Sequence, residues 1–230
     1  MQRNSIYNNI QECTITVMNF DCLIQLVGKQ PFFDLATAVQ LSGEERAKLR
    51  TQLYRWAKAG KVVPLRRGMY TLTDRYRHVP LNQAALAGQL YRPSYLSGLW
   101  AVGFYDLIPE KVVTYTSVTT RVPRRFENAF GVFEYRHIKQ DAFFGYRIVT
   151  MQGGKIILAD PEKALLDVWH LGVGAWTEER MVEMRFQNGE LIDPEKLMDY
   201  AKTFESPRLE RAAGVWIELF GAEAEGTVEL

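Results

Sequence analysis

The sequence predicts an α+β chain in two parts. A small N-terminal unit of helices closed by a β-hairpin comes first, and a larger mixed α+β domain with a helical C-terminal tail follows. Three observations carry this reading. Apolar residues recur at i, i+3, i+4 and i+7 in the first third, as on one face of a helix. Two β-rich segments bracket "PLRRG" directly afterwards. Strand-like runs then occupy much of residues 111–160, after which Asp-Pro and Ser-Pro pairs open successive helices.

Residues 1–18 are expected to be an N-terminal leader. They lack the basic start and unbroken apolar segment of a signal peptide, and no apolar run reaches the ~18 residues of a membrane span, so a cytoplasmic protein with no membrane partner is expected. The first helix carries Phe20, Leu23, Ile24 and Val27, with Asn19 as N-cap and Gly28 at its end. "PFFDLATAVQ" places Leu35, Ala36 and Val39 at helical spacing, and "LSG" breaks it. Ser42 precedes Glu45 by three residues, the capping-box pattern for a helix over "EERAKLRTQLYRWAKAG". Its core face is Leu49, Leu53, Trp56 and Ala57, and Gly60 is its expected C-cap.

A short helix, a glycine turn and a longer helix make a helix-turn-helix pattern. The face opposite Leu49, Leu53 and Trp56 carries Ala47, Lys48, Thr51, Tyr54, Arg55 and Lys58. Small, polar and cationic groups on one face suit a helix lying in the major groove of DNA. Lys48 and Lys58 would meet phosphates, while Thr51, Tyr54 and Arg55 would reach base edges. An ordinary solvated helix face shows a similar pattern. "KVV" and "MYTL" then read as strands joined by a turn over "PLRRG", where Gly68 supplies backbone freedom. A hairpin in this place is the wing of a winged helix, with Arg66 and Arg67 at its tip facing phosphates or a narrow minor groove. Residues 19–78 are therefore predicted to be a winged helix-turn-helix DNA-binding domain. Winged helices also serve protein contacts, and that alternative stays open.

Charge follows the same division. The chain's net charge is +1, yet residues 1–80 hold 12 Lys/Arg against 6 Asp/Glu, while residues 81–230 hold 16 against 21. A surplus of six cations in the N-terminal third is the footprint expected of a nucleic-acid partner.

"TDRYRHVP" reads as a linker, and residues 81–230 as the α+β domain. Asn82 caps a predicted helix over "QAALAGQLY", and Ser94 or Ser97 caps one carrying Leu96, Leu99, Trp100 and Phe104. "KVVTYTSVTT", "GVFEYRHI", "YRIVTMQ" and "KIILAD" read as strands, with a hairpin turn at Gly153-Gly154. Helices follow at Asp160-Pro161, Thr177, Asp193-Pro194 and Ser206-Pro207.

Catalytic patterns are scarce. His78, His137 and His170 are scattered, and Cys13 and Cys22 alone make no metal site, so neither a metal nor a cofactor is expected. Ser94 and Ser97 lie in no G-x-S-x-G elbow, and phosphate-loop and dinucleotide fingerprints are missing. In "ADPEKALLD", Glu162 and Lys163 are adjacent and lack the acid-x-lysine spacing of a metal-dependent nuclease. The segment reads instead as a capped helix start, with Asp160 as cap, Glu162 at the positive end and Lys163 paired with Asp167. The chain is expected not to be an enzyme; a DNA-targeted nuclease is the rival from a different class.

"WAKAGKVVPLRRGMYTL", "YRPSYLSGLWAVGFYDLIPEKVVTYTSVTT" and "ILADPEKALLDVW", in this order and spacing, resemble the AbiEi-type antitoxins. These are winged-helix transcriptional regulators of bacterial abortive-infection, or type IV toxin–antitoxin, systems for phage defence. The resemblance spans roughly residues 20–172. It implies a repressor that binds double-stranded DNA at inverted repeats upstream of its own operon. It also implies an antitoxin that counteracts a nucleotidyltransferase-like toxin without a stable complex. The DNA-binding positions it carries over are Lys48, Thr51, Tyr54, Arg55, Arg66 and Arg67. The residues before Asn19 depart from the family, which often begins close to the first helix.

Overall fold

The computed structural model describes residues 18–225, with side chains described as far as residue 220. The leader expected over residues 1–18 lies outside the described residues apart from Met18. The chain is α+β and divides into two compact units. One holds the described residues to Asn82 together with Glu127–Phe130; the other holds Gln83–Phe126 and the described residues from Gly131 onward.

In the first unit, helix α1 spans Phe20–Val27. Asn19 caps it, its Oδ1 accepting from the Cys22 N–H at 2.9 Å, and Gly28 closes it by donating to the Ile24 carbonyl. Strand β1, Phe33–Asp34, occupies positions expected to be helical. Asp34 must be extended to cap helix α2 (Leu35–Ser42), which it does by accepting from Thr37 N at 2.7 Å, and that same extended backbone pairs with a neighbouring strand. The predicted capping box does not form. Ser42 is the last residue of α2, and its Oγ accepts from Glu44 N at 3.2 Å. Gly43 adopts φ 70° to turn the chain, and Glu45 caps helix α3 (Arg46–Lys58) without a side-chain bond. At the far end Ala59, not Gly60, is the C-cap; Gly60 is the left-handed residue beyond it, and Lys61 N reaches back to the Trp56 carbonyl at 2.9 Å.

Leu23, Val27, Ala38, Leu49, Leu53, Val62 and Leu72 bury together as the core of this unit, with Phe20 set edge-on to Trp56. Strands β2 (Val62–Arg66) and β3 (Met69–Leu72) form the hairpin, in sheet order β1-β3-β2. Arg66 pairs with Met69, so the turn is Arg67-Gly68 alone rather than the whole of "PLRRG", and Gly68 sits at φ 77°. Pro64 is accommodated inside β2 because that strand lies at the sheet edge, beside a shift in register before Arg66. The segment after β3 is pinned rather than free. His78 N donates to the Gly28 carbonyl, and the Arg77 guanidinium bonds Thr71 Oγ1 at 3.1 Å and the Leu72 carbonyl at 3.2 Å.

The second unit is a six-stranded sheet with helices. Helix α4 (Gln83–Leu90) leads to strand β4 (Tyr95–Leu96) and helix α5 (Gly98–Phe104). Strands β5 (Tyr115–Thr119), β6 (Arg124–Asn128, its last two residues counted with the first unit), β7 (Gly131–His137), β8 (Tyr146–Met151) and β9 (Gly154–Ala159) follow. Their order is β6-β7-β5-β4-β9-β8. Leu96, expected in a helix, lies in a strand at the sheet centre, antiparallel to β5 and parallel to β9. The strand expected from Lys111 begins only at Tyr115, β6 has no counterpart among the expected strands, and the last hairpin turns at Gln152-Gly153, one residue earlier than predicted. Helices α6 (Pro161–Leu171), α7 (Glu178–Glu183), α8 (Pro194–Thr203) and α9 (Pro207–Glu225) start where their caps predict. Among the described residues, no helix is long and apolar enough to cross a membrane.

Candidate nucleic-acid interface

Helix α3 buries only Leu49 and Leu53 completely, which leaves most of its circumference in solvent. It carries five cations, Arg46, Lys48, Arg50, Arg55 and Lys58, and no carboxylate. Lys48, Thr51, Tyr54, Arg55 and Lys58 are all exposed on it, and Arg66 and Arg67 stand at the tip of the β2–β3 hairpin in the same unit.

These seven residues are not equivalent. Lys48 is already engaged: its Nζ lies 2.9 Å from Glu44 Oε2. The Met18 N–H and then Lys48 hold the Glu44 carboxyl below its usual range. Thr51 Oγ1 donates to the Ala47 carbonyl at 3.0 Å, so it presents lone pairs outward and not its proton. Tyr54 is 60% exposed, with the Lys58 ammonium 4.9 Å from its ring centre. The Arg55 side chain makes no ion pair or hydrogen bond among the described residues, though its carbonyl accepts from Ala59 N. At the hairpin, Arg66 folds back, its Nη1 donating to the Arg67 carbonyl at 3.2 Å, while Arg67 projects into solvent. Arg46 and Arg50 were not singled out from the sequence. On a helical wheel both fall outside the face of Lys48, Thr51, Tyr54, Arg55 and Lys58, with Arg46 on the Leu53 side in the first turn, and both are exposed.

The second unit holds a polar cluster whose depth the sequence did not reveal. Asp167 Oδ2 accepts from Ser97 Oγ at 2.6 Å and from the Tyr95 hydroxyl at 3.1 Å. Lys163 Nζ donates to the Tyr95 oxygen at 2.8 Å and pairs with Asp167 Oδ1. The Phe204 and Phe144 rings lie 4.7 and 5.2 Å from that ammonium. Burial pushes the Lys163 ammonium pKa down against the pull of Asp167, and burial followed by Asp167 pushes the Tyr95 phenol up. Hydroxyl, carboxylate and amine in hydrogen-bond reach are ingredients of nucleophilic catalysis. All four residues are fully enclosed, and their bonds tie Tyr95 of β4 and the adjacent Ser97 to α6. The expected Lys163–Asp167 pair is present, as a buried one. Ser97 precedes α5 but turns its hydroxyl to Asp167 and makes no side-chain cap. Asp160 likewise makes no side-chain cap for α6; its carboxylate faces Lys196, Tyr200 and Arg147. Glu162, expected to answer the helix dipole, is buried and faces Lys196 Nζ at 3.0 Å.

Among the described residues, no group of three His, Cys, Asp or Glu side chains is placed to hold a metal ion. No protein-family model matches this chain, and no curated protein matches it.

Proposed function

We propose that the protein is a winged helix-turn-helix, sequence-specific DNA-binding repressor of its own operon, of AbiEi type, and an antitoxin against a nucleotidyltransferase-like toxin. The observation that carries the DNA half is α3: five cations, no carboxylate, and an exposed face with polar and aromatic groups. The order of elements supports it. A three-residue turn separates α2 from α3, and a tight hairpin with a projecting Arg67 follows. Arg46, Arg50, Lys58 and Arg67 would neutralise phosphates, and Thr51, Tyr54 and Arg55 would face base edges. Lys48 contributes less, because binding a phosphate means giving up Glu44. The antitoxin half rests on the resemblance of the sequence segments alone.

The test is a gel shift at physiological salt, with DNA from immediately upstream of the gene against a shuffled competitor. Specific binding exceeds nonspecific binding by roughly 10³-fold or more for such proteins. Equal shifts on both DNAs overturn the repressor reading. Retention of the neighbouring gene's product without DNA binding favours a protein-interaction module, and metal-dependent nicking of plasmid favours a nuclease. Rescue of growth on co-expression with the neighbouring gene tests the antitoxin role separately.

A further inference from the structure

A second site stands in the second unit, on the sheet face that carries Tyr95 and Ser97. Thr116 of β5 is in register with Glu134 of β7, and Arg136 follows two residues on, on the same face. The end of α6 and the start of α7 rise beside them and enclose a cleft of about 360 Å³. That volume lies within the ~300–1,000 Å³ of small-molecule sites. Leu99, Leu171 and Met184 make its walls apolar, and two guanidinium groups, Arg136 and Arg180, face into it.

Neither arginine has a carboxylate within ion-pair distance among the described residues. Glu134, the acid in the cleft, is drawn aside to Arg125, whose Nε lies 3.7 Å from its Oε1. Arg180 is held in place before any ligand arrives. Its Nη1 donates to the Val173 and Ala175 carbonyls at 2.7 and 3.0 Å, and its guanidinium lies 3.8 Å from the Trp176 ring centre. Its remaining N–H groups are unspent, and so are all those of the exposed Arg136. A half-buried guanidinium beside apolar walls, without a counter-ion, favours an anion in the space in front of it. Because Arg180 is already ordered, little side-chain entropy is lost when that anion binds.

We infer that this cleft binds a small organic anion, a carboxylate or phosphate ester carried on an apolar body. The anionic group meets Arg136 and Arg180, and the body packs on Leu99, Leu171 and Met184. The site is independent of the DNA face, so the fate of the gel shift leaves it untouched.

The test is calorimetric titration of the full chain with naphthyl phosphate and with naphthoate, using naphthalenemethanol as the neutral analogue and inorganic phosphate as the bodiless one. Saturable binding of at least one aromatic anion is expected, with the neutral analogue and bare phosphate each weaker by roughly tenfold or more. The stronger of the two anions identifies phosphate or carboxylate as the preferred group. Arg136→Gln removes a side chain that holds nothing else, so the fold is retained and affinity falls about tenfold. Leu99→Glu, at a wall position 41% exposed, places a carboxylate in the cleft and abolishes binding. No saturable binding of either anion, equal binding of the neutral analogue, or an Arg136→Gln protein that binds as before overturns the inference.

Discussion

The enclosed Lys163–Asp167 pair makes a quantitative prediction. In Lys163→Met the ammonium is lost, but the Asp167 carboxylate stays buried with two donors, the Ser97 and Tyr95 hydroxyls. Removing one partner of a buried pair costs about 3–5 kcal/mol, and the two surviving hydrogen bonds place this variant near the lower figure. Asp167→Leu strands the ammonium with only the Tyr95 oxygen and aromatic faces, which places it near the upper figure. The double variant removes both charges but leaves two buried hydroxyls short of a partner, each costing roughly 1–3 kcal/mol. It should therefore be less harmful than the two single losses added together, with a coupling of about 2 kcal/mol or more. Urea unfolding monitored by tryptophan fluorescence measures all three. At about 2–4 °C per kcal/mol for a chain of this size, Lys163→Met should lower the melting temperature by roughly 6–12 °C. A loss below about 1 kcal/mol in Lys163→Met, or strict additivity in the double variant, would refute the argument that this pair is a coupled, desolvated strut.

Other substitutions test neighbouring features. Gly145 sits at φ 68°, and a Cβ there would lie 2.9 Å from Tyr200 Cε2 and 3.1 Å from Lys163 Cβ. Gly145→Ala should cost about 2–4 kcal/mol, read from the urea midpoint, by adding backbone strain to overpacking. Burial holds the His170 pKa below its usual value. The unfolded chain therefore takes up that proton first, and stability is lost as pH falls through the ordinary histidine range. His170→Gln should show a smaller drop in urea midpoint between pH 7.5 and pH 5.5 than the parent protein, about these limits of histidine titration. For the proposed DNA binding, Arg67→Ala should flatten the salt dependence by about one phosphate's worth, a slope change near 0.9, measured by titration at several salt concentrations. Lys48→Ala should change that slope by less, because Glu44 already neutralises Lys48.

The helices were legible where their determinants are local. Asn19, Thr177 and Asp193 each bond the backbone two or three residues ahead, and apolar spacing marks the inward face within the same few turns. Strands were less legible because pairing is settled elsewhere in the chain. β4 is two residues long and is a strand only because β5 and β9 flank it. β6, "RRFEN", lies at the sheet edge with most of its residues exposed, so it carries no apolar alternation to read. The length of the β2 strand was hidden by Pro64, a residue that usually ends strands and survives here only at an edge.

The same distinction governs the sites. The cationic character of α3 is written in consecutive residues, but the state of each cation is not. Lys48 is engaged because Glu44 lies one turn before it, which spacing could reveal. Arg66 and Arg67, adjacent and chemically identical, diverge because strand β2 continues through Arg66 and holds it against the turn while Arg67 is left at the tip. Lys163 and Asp167 have the spacing of countless exposed helix pairs. What buries them is Tyr95, 68 residues earlier, together with Phe144 and Phe204, brought in by other elements. The cleft around Arg136 and Arg180 joins a strand to a helix 44 residues later. A pair of arginines at that separation carries no signal until the sheet and helices are assembled. Its chemistry is thus a property of the tertiary fold, and only ligand titration on the folded chain can read it.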